Sequence, residues 1–506
     1  MLAQVEADSL EIDSQTRAAL AAVASFLDSE GLEAYVVGGF LRDALLGRES
    51  HDVDLAVAAD PLSLGRRLAD VLAGHFVRLH EEHKAARIVL PAGGAIHSLD
   101  LLPLRLEIEA DLGQRDLTIN AMAVRVEGLT GERQLSIIDP CGGRQDLAEG
   151  TVRMVRPDAF SADPLRLLRA VRLCAELGFT LDPQTAAVMV ENAPLLSQAA
   201  PERQRDELMR ILATSRAAPG LRLADKLGLL HIFLPEVTAT KGEEQPKEHH
   251  WDVFDHSLET VAALDALLGS EKPADGRWAR LWRQLWERMV EFPAVRDHFG
   301  EEVCQGHTRA ALLKLAALLH DIAKPETRTI EADGRMRFFG HARAGALRAA
   351  AAARRLRFSG AEVREVEAMV REHLRPLQIA QDGPPSRRAL YRYFRDTGEA
   401  AIDVLFLSLA DHLATVGPRL DWDDWRNHLE VVGFILAQRF QEEVLTAPPR
   451  LVTGHDLMDA LGLAPGPLVG RLLAAVQEAQ AAGEVTTREE AVALARQELE
   501  RTEVRL

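Results

Sequence analysis

"AYVVGGFLRDALLGRESHDVDLAV", residues 34–57, is the stretch from which the fold can be read. A β-branched run ends in Gly38-Gly39 and reads as a short strand turning into a helix. "FLRDALLG" is that helix, closed by Gly47, and "DVDLAV" is a second strand. A strand that ends in glycines and enters a helix exposes backbone N–H groups at the helix start, which makes a cradle for phosphate. Arg42, one turn further on, can donate to the same phosphate. Alternate residues on a strand share a face, so Asp52 and Asp54 project together, about 6.5–7 Å apart at the backbone. Both carboxylates can converge on one Mg2+ or on a pair of Mg2+ ions. A glycine turn or a solvated Asp-x-Asp alone is an ordinary surface feature; the two at this spacing are much rarer by chance.

Further along, Asp100 in "HSLDLLPLR" sits near another predicted strand. It reads equally well as a plain strand-end residue or as a third acid that accepts the proton of an attacking hydroxyl. Asp52, Asp54 and Asp100 together suit nucleotidyl transfer to a 3′-hydroxyl with loss of pyrophosphate.

Outward from this centre, residues 10–29 predict an amphipathic helix. "AARIVLPAGG", "AIHSLDLLP" and "INAMAVRVEG" predict more strands, so 31–150 reads as a mixed α/β head. From about residue 158 the periodicity is helical almost throughout. "TATKGEEQPKEHH", 238–250, is polar and contains Gly and Pro, and reads as a linker. Trp278, Trp282 and Trp286 fall on one helical face and read as a buried stripe.

The chain has 506 residues, too many for one core. Its formal net charge of -18 excludes a surface coated in basic charge but leaves room for a local basic track. Cys141, Cys174 and Cys304 lie far apart without metal or pairing spacing, which fits a reducing cytosol. The N-terminus has no signal-peptide pattern, and no apolar run approaches the ~18 residues of a membrane span.

"GGFLRDALLGRESHDVDLAV", "QRDLTINAMA", "DPCGGRQDL" and "DPLRLLRAVRLCAELGF" occur in this order and strongly resemble the successive motifs of class II tRNA nucleotidyltransferases and bacterial poly(A) polymerases. The 457–491 segment resembles the C-terminal region of the same family. The resemblance implies template-independent addition of C, and of A, to the 3′ end of tRNA from CTP and ATP. Asp52 and Asp54 match the family's Mg2+ pair, and Gly39, Arg42 and Arg115 match residues that hold the incoming nucleotide. In "SADPLRLLRAVRL", Asp163 and Arg166 are three apart on a predicted helix. There a carboxylate can accept from the exocyclic amine of C or A, while a guanidinium donates to the ring nitrogen beside it. U and G would make both contacts repulsive. Arg169 and Arg172 continue the face and are expected to hold ribose and phosphates.

Two positions depart from the family pattern: Ala162 stands where a Glu usually steadies the template arginine, and Gln114 where an Arg usually precedes Arg115. Only "LLPLRLEIEADLGQ" separates Asp100 from Arg115, and so short a loop resembles enzymes that add CC and stop.

"DHSLETV", "LAALLHDIAKP", "FGHARAGA", "REHLRP" and "LADHLAT" form a second ordered series and resemble the HD superfamily of metal-dependent phosphohydrolases. The resemblance makes His256, His320, Asp321 and Asp411 metal ligands, with His341 and His373 for a second ion and Lys324 near a phosphate. Imidazole and carboxylate donors suit Mn2+, Ni2+, Fe2+ or Mg2+. The expected substrates are 2′,3′-cyclic phosphates or 2′-phosphates at RNA ends. Arginines cluster in 153–172, 203–222, 354–357 and 387–395, the last interleaved with Tyr391 and Tyr393, and read as an RNA track with stacking rings.

The expected fold class is therefore α+β: a small mixed-sheet head of the DNA polymerase beta-like kind, followed by an all-helical neck, HD domain and tail. The segments are an N-terminal helix (1–30), catalytic head (31–150), neck binding nucleotide and RNA (151–237), HD domain (250–415) and tRNA-binding tail (440–506). Gly38, Gly39, Arg42, Arg115, Asp163, Arg166, Arg169 and Arg172 bind the nucleotide. The partners are the tRNA acceptor arm, CTP and ATP, with neither membrane nor DNA, in the cytoplasm. The rival readings are a poly(A) polymerase restricted to ATP, and an HD phosphohydrolase or nucleotide sensor with an inactive head.

Overall fold

The computed structural model describes residues 10, 12–80, 85–91, 93–130, 135–381, 383–440 and 450–503. The chain folds as two compact units, 1–200 with 226–229, and 201–225 with 230–506. The first residues of the expected N-terminal helix and the start of the expected tail lie outside the described residues.

The first unit is built on a seven-stranded sheet in the order β3-β4-β5-β2-β1-β6-β7. Its strands are β1 (Ala34–Val37), β2 (Asp52–Val57), β3 (His75–His80), β4 (Ala85–Val89), β5 (Ser98–Pro103), β6 (Ala123–Arg125) and β7 (Ile137–Ile138). β1 is buried along its whole length, as a central strand of Ala, Tyr and Val should be. At Gly38 the backbone takes φ +76, which glycine adopts without strain, and the helix Gly39–Leu45 follows at once. β2 then returns antiparallel to β1, pairing Asp54 with Val37, and lies parallel to β5, pairing Asp54 with Asp100. The connection from β2 to β5 carries the helix Pro61–Val71, capped by the Asp60 carboxylate on Ser63 N–H, and the β3–β4 hairpin. The helix Ser14–Ser29 is capped by Asp13 and buries Leu20, Val23 and Leu27. "INAMAVRVEG" is a strand only at Ala123–Arg125; it opens with a 3-10 turn at Thr118–Asn120 and ends in the short helix Val126–Leu129.

The second unit is helical. Its centre packs Val253–Leu267, Arg309–Leu319, His341–Arg355, Gly360–Glu372 and Ala401–Val416 around one another. The expected linker 238–250 folds into this unit instead: Lys324 donates to Gln245 Oε1 at 2.6 Å, and His250 N–H donates to Thr415 O at 3.0 Å. The Trp row is half-buried, its N–H groups at 282 and 286 donating to backbone carbonyls. The buried face of that helix is Leu281, Leu285 and Met289. Arg387–Arg419 is, by length and composition, apolar enough to cross a membrane. It consists of helices broken at Gly398, and 78% of its most apolar window is buried in the unit.

The last three helices, Gly454–Leu461, Pro467–Ala481 and Arg488–Glu503, share a small core of Leu457, Leu472, Val476, Ala479, Ala491 and Ala495. Arg388, Arg392 and Arg395 converge on Glu478 in this tail. Tyr393 is buried, its O–H donating to Ala401 O at 2.6 Å. Tyr393 is therefore a core residue rather than a stacking surface for RNA, and these three arginines tie two helices together.

Candidate active site and metal centre

The register of three strands builds a row of charge. β4 places Arg87 opposite Asp100 on β5, and β5 places Asp100 beside Asp54 on β2. Asp52, two residues earlier, is exposed and accepts from Ser98 Oγ at 2.6 Å. Beyond Asp54, a Cβ atom on Gly38 would lie 2.7 Å from Asp54 Oδ2 and 3.6 Å from Arg115 Nη1. A side chain at this position would therefore have to displace the Asp54 carboxylate, a cost separate from the positive φ. Burial pushes the Asp54 carboxyl up to about 6, and Asp100 and Asp52 add to the shift, against the pull of Arg115 and Arg169. Asp52 and Asp54 on one strand, with Asp54 crowded by its neighbour Asp100, are hard oxygen donors of the kind that suit a divalent cation such as Mg2+.

The guanidinium of Arg42 lies over the start of its own helix, donating to Asn120 Oδ1 at 2.8 Å and pairing with Asp43. Asp116 is buried, accepting from Arg169 Nη1 and from the Leu117 N–H at 2.8 Å each. Burial opposes its charge, but Arg169 outweighs that and holds the carboxyl below the usual range. Arg172 pairs with Glu176 at 2.6 Å. Asp163 and Arg166 are not on one helix as expected. Asp163 has extended backbone, φ -145 and ψ 101, between two helices, and Arg166 begins the second. The Asp163 carboxylate accepts from the Leu165 N–H at 3.2 Å, and Arg166 Nη1 donates to the backbone carbonyl of Ala159. Beside Ala162, a main-chain oxygen holds the arginine that a Glu would otherwise steady.

In the helical unit His256, near the start of Val253–Leu267, and Asp411, within Ala401–Val416, meet His320, Asp321, His341 and His373, which stand at or beside the ends of their helices. His256 Nε2 lies 3.2 Å from His320 Nε2 and 3.0 Å from Asp411 Oδ1. Two overlapping groups, His256–His320–Asp411 and His320–Asp321–His373, each hold their donor atoms within 4.8 Å of one another. Asp321 Oδ1 and His341 Nε2, 3.4 Å apart, are both buried without a hydrogen-bond partner. Orphaned donors of these types fit a bound cation. Burial opposes charge on His320, yet Asp321 and Asp411 outweigh it and raise the imidazole to about 10. Burial, with His320 nearby, lowers His373 to about 4. An open cavity of about 750 Å³ reaches this cluster, lined also by Lys324, Arg337, Arg343, Arg371 and Arg375.

Sequence reasoning did not single out Ser98, Arg87, Asp116 or His249. Ser98 and Arg87 are legible only once register is known. His249 was hidden in the supposed linker, yet it lines the cavity with its ring 5.6 Å from that of His256.

Comparison with known proteins agrees with this layout. The Poly A polymerase head domain matches residues 34–106 and 93–153, and the probable RNA and SrmB-binding site of polymerase A matches 178–241. The HD domain matches 253–416, and the putative tRNA nucleotidyltransferase domain 2 matches 348–495. The chain is 37% identical to an A-adding tRNA nucleotidyltransferase of Deinococcus radiodurans, over 93% of this chain and 96% of the relative. It is 35% identical to a CC-adding tRNA nucleotidyltransferase of Thermus thermophilus, over 91% and 92%. Among solved structures, a CCA-adding enzyme in complex with ATP has a TM-score of 0.59 at 20% identity, over 96% of each chain. The Thermotoga maritima CCA-adding enzyme complexed with tRNA has a TM-score of 0.55, also at 20% identity and over 96% of each chain. These two carry the fold alone. The motifs in order, the row of carboxylates beside a glycine turn and relatives matched over nearly the whole length lead to one conclusion: the chain belongs to the tRNA nucleotidyltransferase family, with a poly(A) polymerase-type head and an HD domain.

Proposed function

We propose that this enzyme adds two C residues to the 3′ end of tRNA, using CTP and Mg2+. The observation that supports nucleotidyl transfer is the pairing of Asp54 with Asp100 beside the Gly38 turn. Asp52 and Asp54 would hold Mg2+, which when bound supplies positive charge against the triphosphate and acidifies the 3′-hydroxyl. Gly38, Gly39, Arg42 and Arg115 bind the nucleotide phosphates, and Arg169 and Arg172 its ribose and phosphates. Asp163 and Arg166 read the base. The RNA 3′-oxygen bonds to the α-phosphorus, the bond to the β-phosphate oxygen breaks, and pyrophosphate leaves. The hydroxyl proton passes to Asp100.

Restriction to CC is supported by the connection from Pro103 to Arg115, which is short and partly helical at Ile108–Leu112. A second reading, addition of the final A, is favoured by the 37% identity to an A-adding relative. Purified protein incubated with tRNA lacking its CCA end, or with tRNA ending in CC, and with each labelled nucleotide, separates them. Two C residues on the first substrate and none on the second is expected; efficient A addition to the second overturns the CC reading, and long A tails would make it a poly(A) polymerase.

For the helical unit the proposal is metal-dependent hydrolysis of phosphate esters at RNA ends, with His256, His320, Asp321 and Asp411 holding the ion. The orphaned Asp321 Oδ1 and His341 Nε2 support it. Chelation followed by metal add-back on a 2′,3′-cyclic phosphate tests it, and a rate indifferent to both would leave a scaffold.

A further inference from the structure

Arg87 was not among the expected site residues, and nothing in the motifs points to it. It sits on β4 directly opposite Asp100. Its Nε donates to Asp100 Oδ1 and its Nη2 to Asp100 Oδ2, each at 2.7 Å. This is the planar two-bond fork that arginine alone provides. Each carboxylate oxygen carries two lone pairs, so the fork fixes the plane of Asp100 and leaves one lone pair per oxygen open. The guanidinium is spent only along one edge. Among the described residues its Nη1 has no partner, and the side chain is 40% exposed.

Strand order says what that free edge faces. Across the sheet the sequence is β4-β5-β2-β1, so Arg87, Asp100, Asp54 and the Gly38 turn follow one another in that order. The phosphate cradle, with Arg115, lies on the β1 flank of Asp54. The β4 flank, beyond Asp100, is the side away from that cradle.

We propose that Arg87 ties the third carboxylate to the RNA terminus: Nε and Nη2 hold Asp100 in a fixed orientation, and Nη1 donates to the last phosphodiester of the RNA. Arg87 is a positioning residue toward Asp100 and a contact to the backbone of the acceptor end. It reads no base. This inference rests on nucleotidyl transfer to RNA as the activity of the head.

The test uses full-length protein and three measurements: Mg2+-CTP affinity without RNA, kcat for C addition, and the salt dependence of KM for tRNA. Arg87→Met is expected to lower kcat on the order of 10²-fold, as loss of orientation at a reacting centre does. It should flatten the slope of log KM against log salt by about 0.7, the share of one phosphate on a single strand. CTP affinity should stay within about twofold, because the cradle lies on the other flank. Arg87→Lys should restore the salt slope, since it keeps one cation, but not kcat, since it cannot fork both oxygens. Combined with Asp100→Asn, Arg87→Met should lower kcat little beyond the single change, while the salt slope still flattens. Parental kcat and slope in Arg87→Met would overturn the proposal. So would a parallel loss of CTP affinity, which would make Arg87 a support of the sheet only. A parent that adds no nucleotide at all would instead sink the activity reading on which this rests.

Discussion

Gly38 and Asp54 approach so closely that one methyl group on the glycine would stand 2.7 Å from the Asp54 carboxylate oxygen. Gly38→Ala therefore meets two penalties, a collision with Asp54 and a positive φ of +76 that costs about 1–3 kcal/mol for a residue with a side chain. The expected outcome is a loss of nucleotide addition on the order of 10²-fold, with the Mg2+ requirement shifted to higher concentration. Parental kinetics in this variant would mean that the turn is not part of the site.

Asp54 gives a stability prediction with a definite sign. Its folded carboxyl sits near 6, above the ordinary 3.8, so the folded protein holds that proton more tightly than the unfolded chain does. The associated stability is complete below the ordinary value and is lost as pH rises through about 6. Asp54→Asn should then make the metal-free protein more stable near neutral pH, by about 1–3 kcal/mol, while abolishing nucleotide addition. The gap should close on acidification, and saturating Mg2+ should raise the melting temperature of the parent but not of the variant. Thermal melts in chelator across pH check this, and a variant less stable than the parent at neutral pH would contradict it.

The arginines of 387–395 lead to a prediction opposite to the one their sequence invites. Because Arg388, Arg392 and Arg395 all meet Glu478, Arg392→Ala should leave the salt dependence of tRNA binding unchanged. It should instead loosen the tail, seen as faster proteolysis between the helices 401–416 and 467–481. A shallower salt slope with unaltered proteolysis would restore these residues to the RNA surface.

His320 allows the two chemistries to be separated. It is shared by both candidate metal groups, so His320→Ala should abolish metal-dependent phosphate ester hydrolysis. Nucleotide addition should persist, and serves as the control for folding. Hydrolysis that survives the change would remove the metal centre from the proposal.

Much of the head is legible in its sequence because the cues there are local. A β-branched run, two glycines and an alternating pair of acids each carry their own geometry, and β1, the helix Gly39–Leu45 and β2 fall where those cues put them. Asp163 did not, and the reason is its neighbour: the ring of Pro164 disfavours helical backbone at the residue before it, and Asp163 is extended. Tyr393 misled because its arginine neighbours suggested a surface, while Leu390 and Phe394 on the same helix turn it into the core. The stretch 238–250 has the composition of a linker. Yet Gln245, His249 and His250 are used by tertiary contacts that no composition reveals. Arg87 and Ser98 become visible only when strands are aligned, since each acts on a carboxylate of a neighbouring strand.

The parallel alignment of β2 with β5 has a consequence for how this protein tolerates change in length. Forty-odd residues of helix and hairpin lie between Asp54 and Asp100, yet their juxtaposition is fixed by backbone pairing and not by that excursion. Insertions or deletions in the excursion can be absorbed so long as the rungs are kept, whereas sliding β5 by a single rung would present Leu99 or Leu101 where the acid now stands. The geometry is thereby insulated from most of the chain that encloses it, and vulnerable at one ladder.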